Sequence, residues 1–407
     1  MNPLHLSGWG IKLAVEELKS SSYLKVTDGR QDDKQSSVMR FRPRRFPYSS
    51  VIVDGFSGYV SLRSAHWLAK NGTPVFILDP ISGDLLSSVL PAGPIKADVK
   101  LAQLHATEDF KKKFIIAHAF VKAKIARSMQ LLDWLGQRYD IDRELRMTKR
   151  EASNLGRART VNELRTVEGR VALRYWEAFR QTLPKWLDFQ GRMTTTHQNN
   201  ASDPFNAALN YGYGFLEAEC RMAINVVGLE PSVGFLHDFS DYQTKESLVY
   251  DLQEPFRWLV DVSVCGAFES GALNLKDFYF TGDDYRYRFK FEAKERFVEL
   301  LRDHFNAGVV WKSQRFKWDT VIEQKAQELG RFLVGKSAKL DLNQPAPILE
   351  RFDGIELRDR IKSLTSEQAK AVGIGKSTLY TLRQHAREER SFRLYGKVSR
   401  KLQTLTD

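Results

Sequence analysis

The chain has 407 residues, 42% of them hydrophobic and 28% charged, which is the balance of a soluble globular protein and too long for one ordinary core. No apolar run approaches the ~18 residues of a membrane span, and the N-terminus lacks the basic-then-apolar pattern of a secretory leader, so neither a membrane protein nor an exported one is expected. Cys220 and Cys265 are the only cysteines, which excludes a disulfide framework and a thiolate zinc cluster and points to a reduced, cytoplasmic setting. Lys and Arg number 62 against 50 Asp and Glu, a net charge of +12 that favours a polyanionic partner such as nucleic acid.

In chain order, the first ninety-odd residues read mostly as strand. Segments 22–26, 50–53, 59–62 and 74–78 are short, rich in Val, Ile, Tyr and Phe, and separated by Gly, Asp and Ser. One helix is predicted over 63–70, ending near Asn71-Gly72. The stretch LPAGP at 90–94 marks a first boundary. Beyond it Phe114, Ala117, Val121, Ile125, Met129, Leu132 and Leu135 recur at three- and four-residue steps, one apolar helix face, and similar patterns run through 168–182, 204–227 and 254–270. Residues 276–292 alternate with aromatics and predict a hairpin turning at Gly282-Asp283, with helices resuming from about Ala293. The linker NQPAP at 343–347 precedes a distinct tail. The expected architecture is α+β: a β-rich N-terminal domain (1–94), an all-α domain (95–342), and a linker with a small C-terminal helix-turn-helix (343–407).

Three places carry chemistry. In EGRVALRYW, Arg170 and Arg174 fall one helical turn apart, with Glu168 at the start of the stretch. That arrangement suits a metal-holding carboxylate beside two phosphate-holding arginines, or an exposed helix with internal ion pairs. In GFLHD, His237 follows an apolar triplet, either as a hydrogen-bonded core residue or as a ligand. In SLVYDLQEPFR, Asp251 and Glu254 stand three apart; Pro255 belongs in a first turn, which makes Asp251 a candidate N-cap. Two carboxylates and one imidazole without thiolates suit Mn²⁺ or Mg²⁺. A fourth segment, DPFNAALNYGYG, opens with an Asp cap and Pro at the first helical position. It places Asn206 and Asn210 on one face, beside Tyr211, either bracing the core or facing DNA.

The strings EGRVALRYW, DPFNAALNYGYGFLEAEC, GFLHD and SLVYDLQEPFR, in this order, resemble the signature segments of the CRISPR adaptation integrase family, and LHLSGWGIKL with PVFILDPISG resembles its β-rich N-terminal domain. The resemblance covers roughly residues 1–335. It implies that 95–342 is a catalytic domain, with a divalent metal held by Glu168, His237 and Glu254 and with Asp251 as a second acidic residue close by. The implied chemistry is attack of a DNA 3′-hydroxyl on a target phosphodiester, with related endonuclease activity.

The tail is additional. Thr365 and Gln368 have capping-box spacing, and Ala369, Val372, Ile374, Leu379 and Leu382 can form a small core around a turn at Gly373. Lys376, Ser377, Thr378, Thr381, Arg383 and Gln384 are then placed on the second helix to meet DNA. From Ile361 onward there are ten Lys or Arg and four Asp or Glu, so half of the net charge lies in this short segment. GIGKST is not a phosphate-binding loop, since Lys370 occupies the place of the first glycine. A family core followed by such a tail resembles the transposon-borne members, the casposases. These insert an element's own ends into double-stranded DNA and imply at least a homodimer, because two ends need two active sites. The alternative is a CRISPR adaptation integrase that inserts spacers with a partner protein.

Overall fold

The computed structural model describes residues 3–345 and 361–387, apart from segments 19–20, 30–37, 43–44, 92–95, 193–200, 238–245 and 283–285 and residues 82, 138, 270, 312 and 372. Asp238, Val372, the end of the expected boundary at 94, the hairpin turn after Gly282 and the linker from 346 therefore lie outside the described residues.

The N-terminal part contains β1 (Pro3–Gly8), β2 (Ile11–Leu18), β3 (Ser21–Thr27), β4 (Val38–Phe41), β5 (Ser50–Gly55), β6 (Gly58–Val60), helix α1 (Leu62–Lys70), β7 (Val75–Leu78) and β8 (Leu85–Val89). They form two four-stranded sheets, ordered β1-β5-β7-β8 and β4-β3-β2-β6. In the second sheet β2 and β3 pair antiparallel with Leu13 opposite Val26 and Val15 opposite Leu24, so the period of two sends alternate apolar residues to one side. There Leu13, Leu24 and Val26 meet Leu4, Leu6 and, from α1, Trp67 and Leu68 in a small core. Ser61 caps α1 by accepting from the Ser64 amide. This explains why strand β6 stops at Val60, short of the expected 62.

The centre of strand β5, Val51-Ile52-Val53, is apolar on both sides because both its faces are covered. Val51 faces the small core, whereas Ile52, with Leu78 of β7, enters the large core of the helical body. That body consists of α2 (Ala97–Glu108), α3 (Phe110–Leu135), α4 (Asp142–Ser153), α5 (Val161–Thr182), α6 (Pro204–Val227), α7 (Ser247–Gln253) and α8 (Arg257–Glu269). The hairpin β9 (Phe278–Thr281) and β10 (Arg286–Phe289) follows, then α9 (Phe291–Asn306), the hairpin β11 (Val309–Trp311) and β12 (Gln314–Phe316), and α10 (Trp318–Leu333). The predicted face of α3 is the buried one: Ala117, Val121, Ile125, Leu132 and Leu135 are interior, with Phe114 and Met129 packed at its margin.

Helix α6 is the axis of the body. Asp203 caps it by accepting from the Asn206 amide at 2.7 Å, and Pro204 opens it, where a missing N–H costs nothing. It is buried on all sides; Val226 is its one exposed residue. A Cβ on Gly214 would stand 2.2 Å from the Gly83 carbonyl oxygen, so glycine lets Gly83 and Asp84 of the N-terminal part lie directly on this helix.

The two parts are also joined by a buried polar cluster. Asp54 of β5 accepts from Lys294 Nζ of α9 at 2.8 Å and from the Tyr211 hydroxyl of α6 at 2.5 Å, with His5 Nε2 at 3.4 Å. Burial raises the Asp54 carboxyl, but hydrogen bonding to His5 and the charge of Lys294 outweigh it and leave its pKa below the ordinary value.

In the tail, α11 (Ser366–Ala371) and α12 (Lys376–Arg387) are joined through a turn in which Gly373 has φ +85°, a conformation only glycine adopts without strain. The Thr365 amide donates to Gln368 Oε1 at 2.8 Å and the Gln368 amide to Thr365 Oγ1 at 3.1 Å, the expected reciprocal cap. Ala369, Ile374, Leu379 and Leu382 are buried as expected, joined by Ile361 and Leu364.

Candidate active site

The three predicted ligands arrive from three directions and line one cavity of about 270 Å³. Glu168 projects from the middle of α5, half-buried. Glu254 lies in the short 3-10 turn Glu254–Phe256 between α7 and α8. Pro255 produces that turn: lacking an N–H and clashing with the preceding turn, it interrupts what would otherwise be one continuous helix. His237 lies between α6 and α7.

Of the two roles expected of Asp251, that of an N-cap is not the one it has: it lies inside α7, fully buried, with its carboxylate turned to the histidine loop. Its Oδ2 accepts from the amides of Phe235 at 2.6 Å and Leu236 at 2.9 Å, and its Oδ1 from the His237 amide at 2.9 Å. His237 Nδ1 stands 2.8 Å from the same Oδ1. One carboxylate thus satisfies three buried donors and fixes the imidazole ring through Nδ1. From α5, Arg165 Nε donates to the Leu236 carbonyl at 2.7 Å and steadies the loop further. Burial lowers the His237 pKa, but the hydrogen bond and charge of Asp251, with Glu254 beyond, prevail and hold it above the ordinary value.

Between the two glutamates lies Lys124 of α3. Its ammonium stands 2.5 Å from Glu254 Oε2 and donates to Glu168 Oε1. Burial works against ionisation of Glu254, yet Lys124, Arg257 and His237 pull its pKa down to about 2. Among the described residues no three His, Cys, Asp or Glu side chains stand close enough, as placed, to share one ion. The position between the carboxylates is nevertheless one that holds a cation, since an ammonium is there. Two carboxylate groups and an imidazole oriented by a second carboxylate are the donor chemistry of a hard divalent ion. In that sense the residues fit such a group.

The rest of the cavity is strongly cationic, with Arg127, Arg192 and Arg257 in its lining. Arg257 lies over the Tyr213 ring at 3.9 Å, and Arg192 at 5.3 Å. Asp261 accepts from the hydroxyls of Tyr175 at 2.6 Å and Tyr213 at 2.5 Å; burial raises its pKa, with the two tyrosines opposing. Sequence reading missed this group. The available signals were Arg257 three residues after Glu254, and Lys124 interrupting the apolar stripe of α3.

The remaining expected contacts are distributed differently. Asn206 is buried and Asn210 half-buried, and their Oδ1 atoms accept from Arg192 Nη1 at 3.1 and 2.9 Å, so they brace a cavity arginine. Tyr211, expected among the DNA contacts, is interior, its hydroxyl committed to Asp54. Arg170 is exposed on α5, while Arg174 pairs with Glu177 at 2.7 Å. On α12, Lys376, Ser377, Thr378, Thr381 and Gln384 are exposed, and half-buried Arg383 donates to the Leu364 carbonyl. No helix of the described residues is long and apolar enough to cross a membrane.

Comparison with known proteins gives a consistent result. The family model for the CRISPR associated protein Cas1 matches residues 33–303. A CRISPR-associated endonuclease Cas1 of Methanospirillum hungatei is 24% identical over 335 residues, which is 82% of this chain and 96% of that protein. A solved structure, a casposase bound to integration product, is 36% identical and covers 89% of this chain and 99% of its own, with a TM-score of 0.78. A Cas1 protein from Thermotoga maritima, 15% identical with a TM-score of 0.66 over 84% of this chain and 100% of its own, shares the fold.

Proposed function

Because this chain belongs to the Cas1 family, we propose that it is a casposase-like DNA integrase that joins the 3′-hydroxyl ends of a mobile element to target DNA by transesterification and nicks DNA by hydrolysis at the same site. The observation that carries the reading is the convergence of Glu168, His237 and Glu254 on one cationic cavity. The likeness to a casposase bound to integration product, over 89% of the chain, supports the choice within the family.

Glu168, His237 through Nε2, and Glu254 would hold Mn²⁺ or Mg²⁺, with Asp251 orienting the histidine. Such an ion supplies charge neutralisation at the phosphate and steadies the attacking and departing oxygens. Arg127, Arg192 and Arg257 hold phosphate oxygens, the last two positioned by the asparagine pair and Tyr213. One P–O bond forms as the 3′-oxygen attacks and loses its proton; the P–O bond to the target strand's 3′-oxygen breaks. The number of phosphodiesters is unchanged, so no ATP is required. Arg170 and the exposed face of α12 bind double-stranded DNA, the latter as the second helix of a helix-turn-helix unit. Two DNA ends require a homodimer or a higher assembly. The site of action is the cytoplasm, on the nucleoid.

The test mixes the purified chain with Mn²⁺, a duplex oligonucleotide bearing a free 3′-hydroxyl, and supercoiled plasmid, with His237→Ala alongside. Joining of oligonucleotide to plasmid by the wild type alone is the expected result. Metal-dependent nicking without joining would move the assignment to a CRISPR adaptation integrase that needs a partner protein, the reading favoured by the M. hungatei relative.

A further inference from the structure

The linker expected from residue 343 does not begin as a free tether. Leu342 and Gln344 are buried, with 2% and 6% exposure, and Gln344 bonds to two residues that line the cavity, Trp258 and Arg127. Gln344 makes three directed bonds there. Trp258 Nε1 donates to its Oε1 at 2.8 Å, its Nε2 donates to the Pro255 carbonyl, and its main-chain carbonyl accepts from Arg127 Nη2. Trp258 and Arg127 line the cavity, and Pro255 follows Glu254 directly. Its amide oxygen accepts from the indole N–H and its amide nitrogen donates to the carbonyl while the side chain remains neutral, so one residue serves both partners. The turn it grips needs an external hold, because Pro255 interrupts the helical bonding there. Arg127 depends on the same residue: its partners, Gln130 Oε1 and the Gln344 carbonyl, are neutral, and burial lowers its pKa to about 10.

We propose that Gln344 is a positioning residue of the active site, seating Glu254 through the Pro255 carbonyl and aiming Arg127 through its own. This rests on the metal-site reading above. The first residues after the helical body then support the catalytic centre.

The test uses the full-length wild type, Gln344→Leu and Gln344→Glu. Leucine keeps the approximate size and removes both side-chain bonds. Ionised glutamate can still accept from Trp258 but cannot donate to Pro255. Mn²⁺ affinity is read without DNA by titration of the free-ion spin resonance signal; kcat and KM for oligonucleotide joining, gel-shift affinity and Tm are measured in parallel. Both variants should lose about 10-fold or more in Mn²⁺ affinity and kcat, with KM and gel-shift affinity unchanged. Either variant, folded and equal to wild type in Mn²⁺ affinity and kcat, overturns the proposal. So does a loss that vanishes well below the variant's Tm, which marks a merely structural role. A wild type that neither binds Mn²⁺ nor joins DNA overturns the functional reading itself; an active wild type beside an unaffected Gln344→Leu overturns the positioning role alone.

Discussion

Lys124 Nζ lies 2.5 Å from Glu254 Oε2 and donates as well to Glu168, so one ammonium spans two carboxylates contributed by separate elements. The arrangement is self-compensating: the cavity carries its own counter-charge where the proposed ion would sit. Burial works against ionisation of Lys124, and Glu168 and Glu254 more than restore it.

Replacing Lys124 by Met should therefore expose the cost of that compensation. In chelator, the variant loses on the order of 3 kcal/mol, the usual penalty for leaving a buried charge without its partner. Added Mn²⁺ should raise its Tm by more than it raises that of wild type. Equal Mn²⁺-induced shifts in a thermal melt would falsify the idea that ammonium and ion share one place.

Asp251→Ala tests the support of the imidazole. Three loop amides and His237 Nδ1 lose one acceptor in a fully buried place. At ~1–3 kcal/mol for each buried donor left unsatisfied, the 235–237 loop should unseat. Loss of Mn²⁺ affinity together with early hydrogen exchange at Phe235–His237 is expected; unaltered exchange there would show that the carboxylate does not hold the loop.

Asp54→Ala should separate the N-terminal sheet from the helical body. It leaves the buried Lys294 ammonium without its counter-charge, with the Pro80 carbonyl as a neutral acceptor, a change worth roughly 3–5 kcal/mol, whereas Tyr211→Phe removes one bond to a charged group, about 1.5–3 kcal/mol, and a 3.3 Å contact with His5 Nε2. The Asp54 pKa is depressed in the folded chain, so its contribution is present above the ordinary value of 3.8 and is lost as pH falls through the folded value. Denaturant melts that rank Tyr211→Phe as the more damaging variant at neutral pH would contradict this.

Glu219 gives a prediction of opposite sign. It is buried in α6, neither carboxyl oxygen has a hydrogen-bond partner among the described residues, and burial raises its pKa from 4.5 to about 8, with Asp319 adding to the effect. A raised folded pKa means stability that is complete below 4.5 and lost as pH rises through about 8. Wild-type Tm should therefore decline across that window relative to Glu219→Gln. Parallel Tm curves for the two chains would remove Glu219 as the cause.

Much of this was legible in the sequence because it rests on local rules. The α3 stripe, the Asp203-Pro204 start of α6 and the reciprocal cap of Thr365 and Gln368 follow from spacing alone. Helix α4 was passed over because only Leu145 and Thr148 of it are buried, which leaves little apolar periodicity to detect. Asp251 was misread as a cap since Pro255 suggested a helix start, whereas the chain was already helical from Ser247. The partners that define the site were beyond reach. Lys124 meets Glu254 across 130 positions of sequence, and Gln344 meets Arg127 across more than 200. Such contacts are set by how helices pack, which no local pattern encodes.

Helix α6 has a consequence for how this sequence can vary. Glycines at 212 and 214 admit Val260 and the Gly83 backbone, Asn206 and Asn210 hold a cavity arginine, Tyr211 reaches the N-terminal sheet, and Tyr213 reaches Asp261. No side of it is left over to absorb neutral change. In a saturation library scored for folded protein, residues 204–225 should appear as an almost unbroken intolerant band, with relief at exposed Val226. Helix α4, by contrast, should show a periodic pattern in which Leu145 and Thr148 alone resist replacement.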